Sequence, residues 1–321
     1  MRTLRPERRE LIEALVAETA PGGMTAGLLE KDEHLTDALR ALFALRLEGA
    51  QLVLCGGTSL AKGFGLIERM SEDADLKVVL PDATRSSRSE IRRRLSALKT
   101  QVNAALTGIG LTEEKSKEQA FNENRYFCSE WSYARHYESV ASLRPHLQIE
   151  WTARTPVLPV QVCRITSLAD HFAGRDELAF EAPVVAVAET MAEKTLSFLR
   201  RYAQHRAGLM RQSWDTALVR HVYDVHRIYR KRPETVVAAR QAFPMLVAGD
   251  QKEFGIQFPG FAAAPRDVLT GALLQARVDG EIEQEFTGNL LPLVYGADKP
   301  AFAEAFADFN AVAGALLDTL Q

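Results

Sequence analysis

The chain has 321 residues, of which 46% are hydrophobic and 25% charged, and a formal net charge of −3. That length and balance suit a globular protein of one large or two modest domains, whose core needs no disulfides or structural metal. They exclude a basic nucleic-acid coat, and Cys55, Cys128 and Cys163, far apart and in no CxxC pairing, argue against a disulfide framework or a zinc knuckle.

The N-terminus from Met1 to Glu10 mixes both signs of charge without an apolar region, and no apolar run approaches the ~18 residues a membrane span needs. A cytoplasmic protein with no membrane partner is expected. Apolar positions Leu11, Ile12, Leu15 and Val16 predict a helix from Glu7 to about Ala17, broken by Pro21-Gly22-Gly23. Leu28, Leu29, Leu35, Leu39, Leu42, Phe43 and Leu47 form the stripe of a second amphipathic helix. The run Leu52-Val-Leu-Cys55, ended by Gly56-Gly57, suits a buried strand entering a tight turn. Helical spacing returns from Thr58 to about Met70. Ser71 to Leu80 then alternates polar and apolar, so that as a strand Asp73, Asp75 and Lys77 face one way and Ala74, Leu76 and Val78 the core. Pro81-Asp82 stops it. A basic helix follows from Ser87 to about Leu106, then strands near Arg125–Tyr133 and His146–Thr152. Beyond Pro183 helical patterns dominate: Val184–Tyr202, Trp214–Tyr229 and Ala301–Leu320. The picture is a mixed α/β half followed by a helical half.

Three features carry chemistry. Gly56-Gly57-Thr58-Ser59, between a strand and a helix, lets backbone N–H groups approach an anion at the positive end of the helix dipole; the same turn also occurs with no ligand. Asp73 and Asp75 share one strand face, where two like charges call for a cation such as Mg²⁺, although a solvated strand edge gives the same pattern. Glu150 is an acid inside the apolar run Leu147-Gln-Ile-Glu-Trp151, or else the wet side of that strand. Their order (phosphate turn, helix, paired carboxylates, third carboxylate on a later strand) supplies the parts of metal-assisted phosphoryl chemistry. Glu72 is expected to face elsewhere and ion-pair.

The stretches Leu28-Leu-Glu-Lys-Asp32, Gly56-Gly-Thr-Ser-Leu-Ala-Lys62 and Ile67-Glu-Arg-Met-Ser-Glu-Asp-Ala-Asp-Leu76 resemble the AbiEii/AbiGii, or MenT-like, nucleotidyltransferase toxins of type IV toxin–antitoxin systems. The likeness continues in Glu189-Thr-Met-Ala-Glu-Lys194, Arg200 and Arg220-His-Val-Tyr-Asp224, extends weakly to the tail (Val294-Tyr-Gly296 and Ala301–Leu317), and so covers most of the chain. It implies an α+β fold: a polymerase-β-like nucleotidyltransferase core, with a mixed sheet and flanking helices, over residues 1–165, and a mainly helical domain over 166–321. It implies Mg²⁺ on Asp73, Asp75 and Glu150, with Glu150 also the general base. Gly57, Thr58 and Ser59 would cradle the NTP triphosphate, joined by Lys62, Arg69, Ser71, Lys194 and Asp224. The family often has Asp where this chain has His221. For Lys194, Arg220 and Asp224 an ion-pair network between helices explains the residues equally well.

The activity so implied is transfer of NMP from an NTP to a hydroxyl acceptor, the tRNA 3′ end, blocking translation, with a cognate antitoxin protein as partner. Basic clusters could draw such an RNA: Arg85, Arg88, Arg92, Arg93, Arg94 and Lys99; Arg200, Arg201, Arg206 and Arg211; Arg227, Arg230, Lys231 and Arg232. Charged helix faces are mostly just solvated, however, and Tyr202 and Trp214, which could stack a base, are more commonly core residues. The alternatives are an antibiotic-type small-molecule nucleotidyltransferase and a non-catalytic module that binds GTP or a partner.

Overall fold

The computed structural model describes residues 1–18, 24–81, 86–138, 143–210 and 215–321. The breaker Pro21-Gly22-Gly23, Asp82, Arg85, Arg211 and Trp214 lie outside them. The chain divides into two units, Met1–Pro156 with Val160–Val185, and Val157–Pro159 with Ala186–Gln321.

In the first unit, helices α1 (Pro6–Glu18) and α2 (Ala26–Phe43) precede strand β1 (Gln51–Cys55). A single helical turn, α3 (Gly56–Thr58), runs on as a π-helical turn over Ser59–Gly63. The helix expected to reach Met70 stops there. Leu66 N–H donates back to the Leu60 carbonyl (2.9 Å) and Gly65 takes φ +60°, a conformation that ends a right-handed helix. Next come β2 (Asp73–Val79), α4 (Arg88–Gly108), β3 (Thr112–Glu113), β4 (Gln119–Phe121), β5 (Tyr126–Ser132) and β6 (Leu147–Thr152). Strand β7 (Gln161–Ile165), short helix α5 (Leu168–Phe172) and strand β8 (Phe180–Val184) complete the unit.

The strands form one mixed sheet in the order β3-β5-β6-β2-β1-β8-β7, with β4 added to β5. β2 lies antiparallel to β1 and parallel to β6. The first unit extends to Val185, because β7 and β8 pair with each other and β8 pairs with β1. Short β3, β4, β7 and β8 carry no alternating pattern long enough to read from sequence.

One face of the sheet holds the core. Ala74, Leu76 and Val78 of β2, Ile149 and Trp151 of β6 and Phe127 of β5 pack against Leu35, Leu39 and Leu42 of α2 and Leu95, Leu98 and Val102 of α4. Because alternate strand residues point to opposite faces, Asp73, Asp75 and Glu150 leave from the other side.

The second unit is helical: α6 (Val187–Arg206), α7 (Arg220–Lys231), α8 (Thr235–Phe254), α9 (Pro259–Ala263), α10 (Pro265–Ala276), α11 (Gly280–Glu285) and α12 (Phe302–Leu317). Phe198 and Tyr202 of α6 and Phe306 and Phe309 of α12 are part of its buried interior. The whole is an α+β protein, a mixed sheet with flanking helices followed by a helical domain. No helix of the described residues is long and apolar enough to cross a membrane.

Candidate functional site

The sheet register assembles the expected carboxylates. Asp75 is the Cα partner of Glu150 across the parallel β2–β6 pair, and Asp73 partners Gln148. On the outer flanks Cys55 of β1 partners Asp75, and Cys128 of β5 partners Glu150. A single row across four strands therefore reads Cys55, Asp75, Glu150, Cys128. Glu150 accepts from Gln148 Nε2 (3.3 Å) and from the Tyr126 hydroxyl. Burial, with Glu150 beside it, pushes the Cys128 thiol up to about 12, so this cysteine is protonated at neutral pH and is no nucleophile.

The glycine turn abuts this row. Gly56 has φ +70°, and a Cβ built on it would lie 2.1 Å from Asp75 Oδ2. A Cβ on Gly57 would lie 2.8 Å from Arg69 Nη2 and 2.9 Å from Ser71 Oγ. Both glycines are thus required by close approach. Thr58 Oγ1 sits 2.8 Å from Ser71 Oγ and donates to the Asp73 carbonyl, while Ser59 Oγ donates to the Gly56 carbonyl (2.8 Å). The Thr58 and Ser59 side chains, which the resemblance places around the triphosphate, are both fully buried: Thr58 stitches the turn to β2 and Ser59 closes the turn on itself. Arg69, also buried, donates to the Met70 carbonyl (3.0 Å).

Lys62 is not brought to the carboxylates. Its ammonium pairs with Asp32 (2.6 Å) and donates to Thr36 Oγ1 (2.8 Å), tying the turn to α2. Lys194 and Asp224 belong to the second unit, where Lys194 Nζ meets the buried Asp224 carboxylate at 2.7 Å and links α6 to α7. That is the helix–helix ion pair weighed for them above.

Two important residues, Lys31 and Arg144, were not singled out from sequence; Glu72, expected to face elsewhere and ion-pair, does so. Lys31 of α2 and Glu72 are both 1% exposed and pair at 2.7 Å. Burial lowers the Lys31 pKa, and Glu72 opposes that shift. Arg144 sits above them. Its backbone N–H donates to Glu72 (2.7 Å), its carbonyl accepts from Lys31 (2.8 Å), and its guanidinium Nη1 donates to both Asp73 carboxylate oxygens (3.1 Å each) and to Gln148 Oε1 (2.7 Å). The signal available was the run Glu30-Lys-Asp-Glu33 inside an apolar helix; all four side chains are buried. Glu30 accepts from the His136 and Tyr137 amides, Asp32 from the Leu168 amide, and Glu33 from Arg8. Each charge pins a neighbouring segment to α2.

Among the described residues no three acidic, histidine or cysteine side chains converge closely enough to hold a metal ion by themselves. The donor set still fits Mg²⁺, which takes one or two carboxylates and fills its shell with water and phosphate oxygens. A cation already stands on Asp73, the Arg144 guanidinium, which marks the carboxylate as a place where positive charge is favourable.

The basic clusters fare differently. α4 packs on the core face, so its exposed Arg88, Arg92 and Arg93 lie on the side of the sheet away from the carboxylates. Arg94 pairs with Glu90 and Lys99 with Glu118. In the second unit Arg200 pairs with Asp250 (3.0 Å) and lies over the Phe254 ring, Arg201 pairs with Asp215 (2.7 Å), and Arg227 and Arg230 pair with Asp298 and Asp308. Tyr202 stacks on Phe198 and donates its hydroxyl to Asp279 (2.6 Å), which makes it a core residue rather than a base platform.

Comparison with known proteins adds a family. Residues 37–308 match the model of a family described as nucleotidyl transferase AbiEii toxin, Type IV TA system. Among solved structures the fold is similar to that of MenT4, a nucleotidyltransferase toxin from Mycobacterium tuberculosis H37Rv, with a TM-score of 0.51 and 20% identity over 99% of this chain and 91% of that one. At that identity the likeness speaks for the fold. A comparison with curated protein sequences found no match.

Proposed function

Because the chain belongs to the AbiEii nucleotidyltransferase toxin family, we propose that the half-buried carboxylate face of β2 and β6 transfers a nucleoside monophosphate from an NTP to an RNA hydroxyl. The observation that carries this reading is the register placing Asp75 beside Glu150, with Asp73 one step along and the Gly56–Gly57 turn against Asp75. Asp73 and Asp75 would hold Mg²⁺, with Glu150 as a further oxygen donor. When bound, the ion polarises the α-phosphate and offsets charge on the departing pyrophosphate.

The chain's own residues do the rest. Glu150, oriented by Gln148 and Tyr126, takes the proton of the acceptor hydroxyl as its oxygen bonds to the α-phosphorus. The bond from that phosphorus to the bridging oxygen breaks, and pyrophosphate leaves with the electron pair. Gly56 brings backbone close to the Asp75 carboxylate, and Arg69 and Ser71, packed on Gly57, keep the turn there. Thr58 and Ser59 act by shaping the turn.

The acceptor we propose is the 3′ end of tRNA, so that translation stops. A toxin must modify something its own cell needs, which favours this over an antibiotic, whose modification protects the cell. Membership of a Type IV toxin–antitoxin family implies an antitoxin counterpart. The test is incubation with total tRNA and each α-labelled NTP in turn, with Mg²⁺ or EDTA. Label on tRNA with Mg²⁺ alone supports the reading. Label on an aminoglycoside panel instead would move the acceptor to small molecules, and nucleotide binding without pyrophosphate release would make the chain a binding module.

A further inference from the structure

We propose that Arg144 is a triphosphate-binding residue of this site, parked on Asp73 until a metal-bound nucleotide takes that carboxylate. The inference rests on the nucleotidyl-transfer reading above and adds a residue and an order of events to it.

The first observation is how its backbone is held. The N–H and carbonyl of Arg144 are gripped by the two members of the Lys31–Glu72 ion pair, at 2.7 and 2.8 Å. Burying both charges of that pair carries a large desolvation cost. Pro145, next in the chain, disfavours a helical conformation at Arg144. The main chain is therefore anchored at the mouth of the carboxylate face.

The second observation is what the side chain does. It is 38% exposed, and its Nη1 spans both oxygens of Asp73 and reaches Gln148 Oε1. An anchored backbone with an exposed, rotatable side chain is suited to exchanging one anion for another.

Charge decides the exchange. A Mg²⁺ ion sits about 2.0–2.1 Å from a carboxylate oxygen. A guanidinium covering both oxygens of Asp73 and a divalent cation on the same oxygens repel and compete for the same lone pairs. As the metal arrives with its nucleotide, the guanidinium is displaced toward the nearest new anion, which is the triphosphate. Its planar fork matches phosphate oxygens as well as it matches a carboxylate.

Full-length protein is titrated with Mn²⁺ alone, followed by electron paramagnetic resonance, and with inorganic tripolyphosphate in the presence of Mg²⁺, followed by calorimetry. Arg144→Met is expected to bind Mn²⁺ alone several-fold more tightly, because no side chain competes for Asp73. It is expected to bind tripolyphosphate roughly tenfold more weakly, as loss of a charge-assisted contact implies. Arg144→Lys, which keeps the charge but not the fork, is expected to fall between in both titrations, and thermal unfolding of each variant reports folding. Unchanged or weaker Mn²⁺ binding in both variants overturns the competition, and unchanged tripolyphosphate binding overturns the triphosphate role. Asp75→Ala separates the two levels. If it leaves Mn²⁺ binding intact, the metal site itself is wrong; if it abolishes binding while Arg144→Met changes nothing, only the assignment of Arg144 fails.

Discussion

Asp75 on β2 and Glu150 on β6 are register partners in a parallel strand pair, so their carboxylates leave the sheet side by side from one face. Two acids at that spacing have distinct expected phenotypes. Asp75→Ala and Asp73→Ala should abolish both NMP transfer and Mn²⁺ binding while circular dichroism stays that of the wild type. Glu150→Gln should retain most metal binding and lose transfer by roughly 10²–10⁴-fold, the usual worth of a general base. Wild-type transfer rates in Glu150→Gln would take the proton-acceptor role from Glu150.

Gly56 is a sharper probe, because two independent constraints meet there. Its φ of +70° strains any L side chain by about 1–2 kcal/mol. The Cβ would also stand 2.1 Å from Asp75 Oδ2, far inside the contact distance of a nonbonded carbon and oxygen. Gly56→Ala is expected to lower the midpoint of urea unfolding and to reduce transfer far more than a thermally matched core variant does. Gly65, with φ +60° and nothing near its missing Cβ, is the control: Gly65→Ala should cost stability of similar size and leave the specific activity of the folded fraction unchanged.

These two positions show which parts of the site a sequence discloses. Alternation from Asp73 to Val79 puts both aspartates on one face, since a strand's side-chain period is two, and the structure agrees. The same alternation in Leu147-Gln-Ile-Glu-Trp151 puts Glu150 on a polar side. What alternation does not carry is pairing: that β6 lies next to β2, in the register Asp75–Glu150, depends on contacts far apart in the chain. Lys31 illustrates the other limit. On a helix with an apolar stripe a lysine reads as solvated, and only the packing of the Arg144 segment and of β2 around α2 makes it a buried partner of Glu72. The resemblance implies a phosphate ligand at Lys62; its ammonium pairs with Asp32 of α2.

Lys194 and Asp224 join α6 to α7 inside the second unit, with the carboxylate fully buried. Removing the cation leaves a buried anion without it, a loss that typically costs about 3–5 kcal/mol. Lys194→Met is therefore expected to shift the denaturant midpoint strongly, and the double variant Lys194→Met/Asp224→Leu to recover much of the loss. A Lys194→Met protein as stable as the wild type would remove the structural role and return this lysine to the list of ligands.

His34 of α2 carries a pH dependence that can be worked out in sign. It is fully buried against the Tyr133 ring (4.2 Å between centroids), accepts from Arg2 Nε at Nδ1 (3.1 Å), and has Glu30 4.0 Å from Nε2. Burial first, and the Arg2 charge second, lower its pKa from 6.5 to about 3. The folded protein therefore keeps His34 neutral where the unfolded chain has already taken up a proton. Between 6.5 and about 3 the unfolded state binds more protons, so this residue's contribution is complete above 6.5 and is lost progressively as pH falls through that window. The loss amounts to about 1.4 kcal/mol per pH unit once the unfolded histidine is protonated. Other groups titrate over the same range, so the measurement is a difference. Urea unfolding at pH 7.5 and pH 5 is compared between wild type and His34→Gln, which cannot titrate there. The variant should be the less stable protein at pH 7.5, having lost a fitted side chain, but should lose roughly 1–2 kcal/mol less on acidification. Equal losses in the two proteins would mean that the imidazole is protonated in the folded state, with Glu30 as its counter-ion.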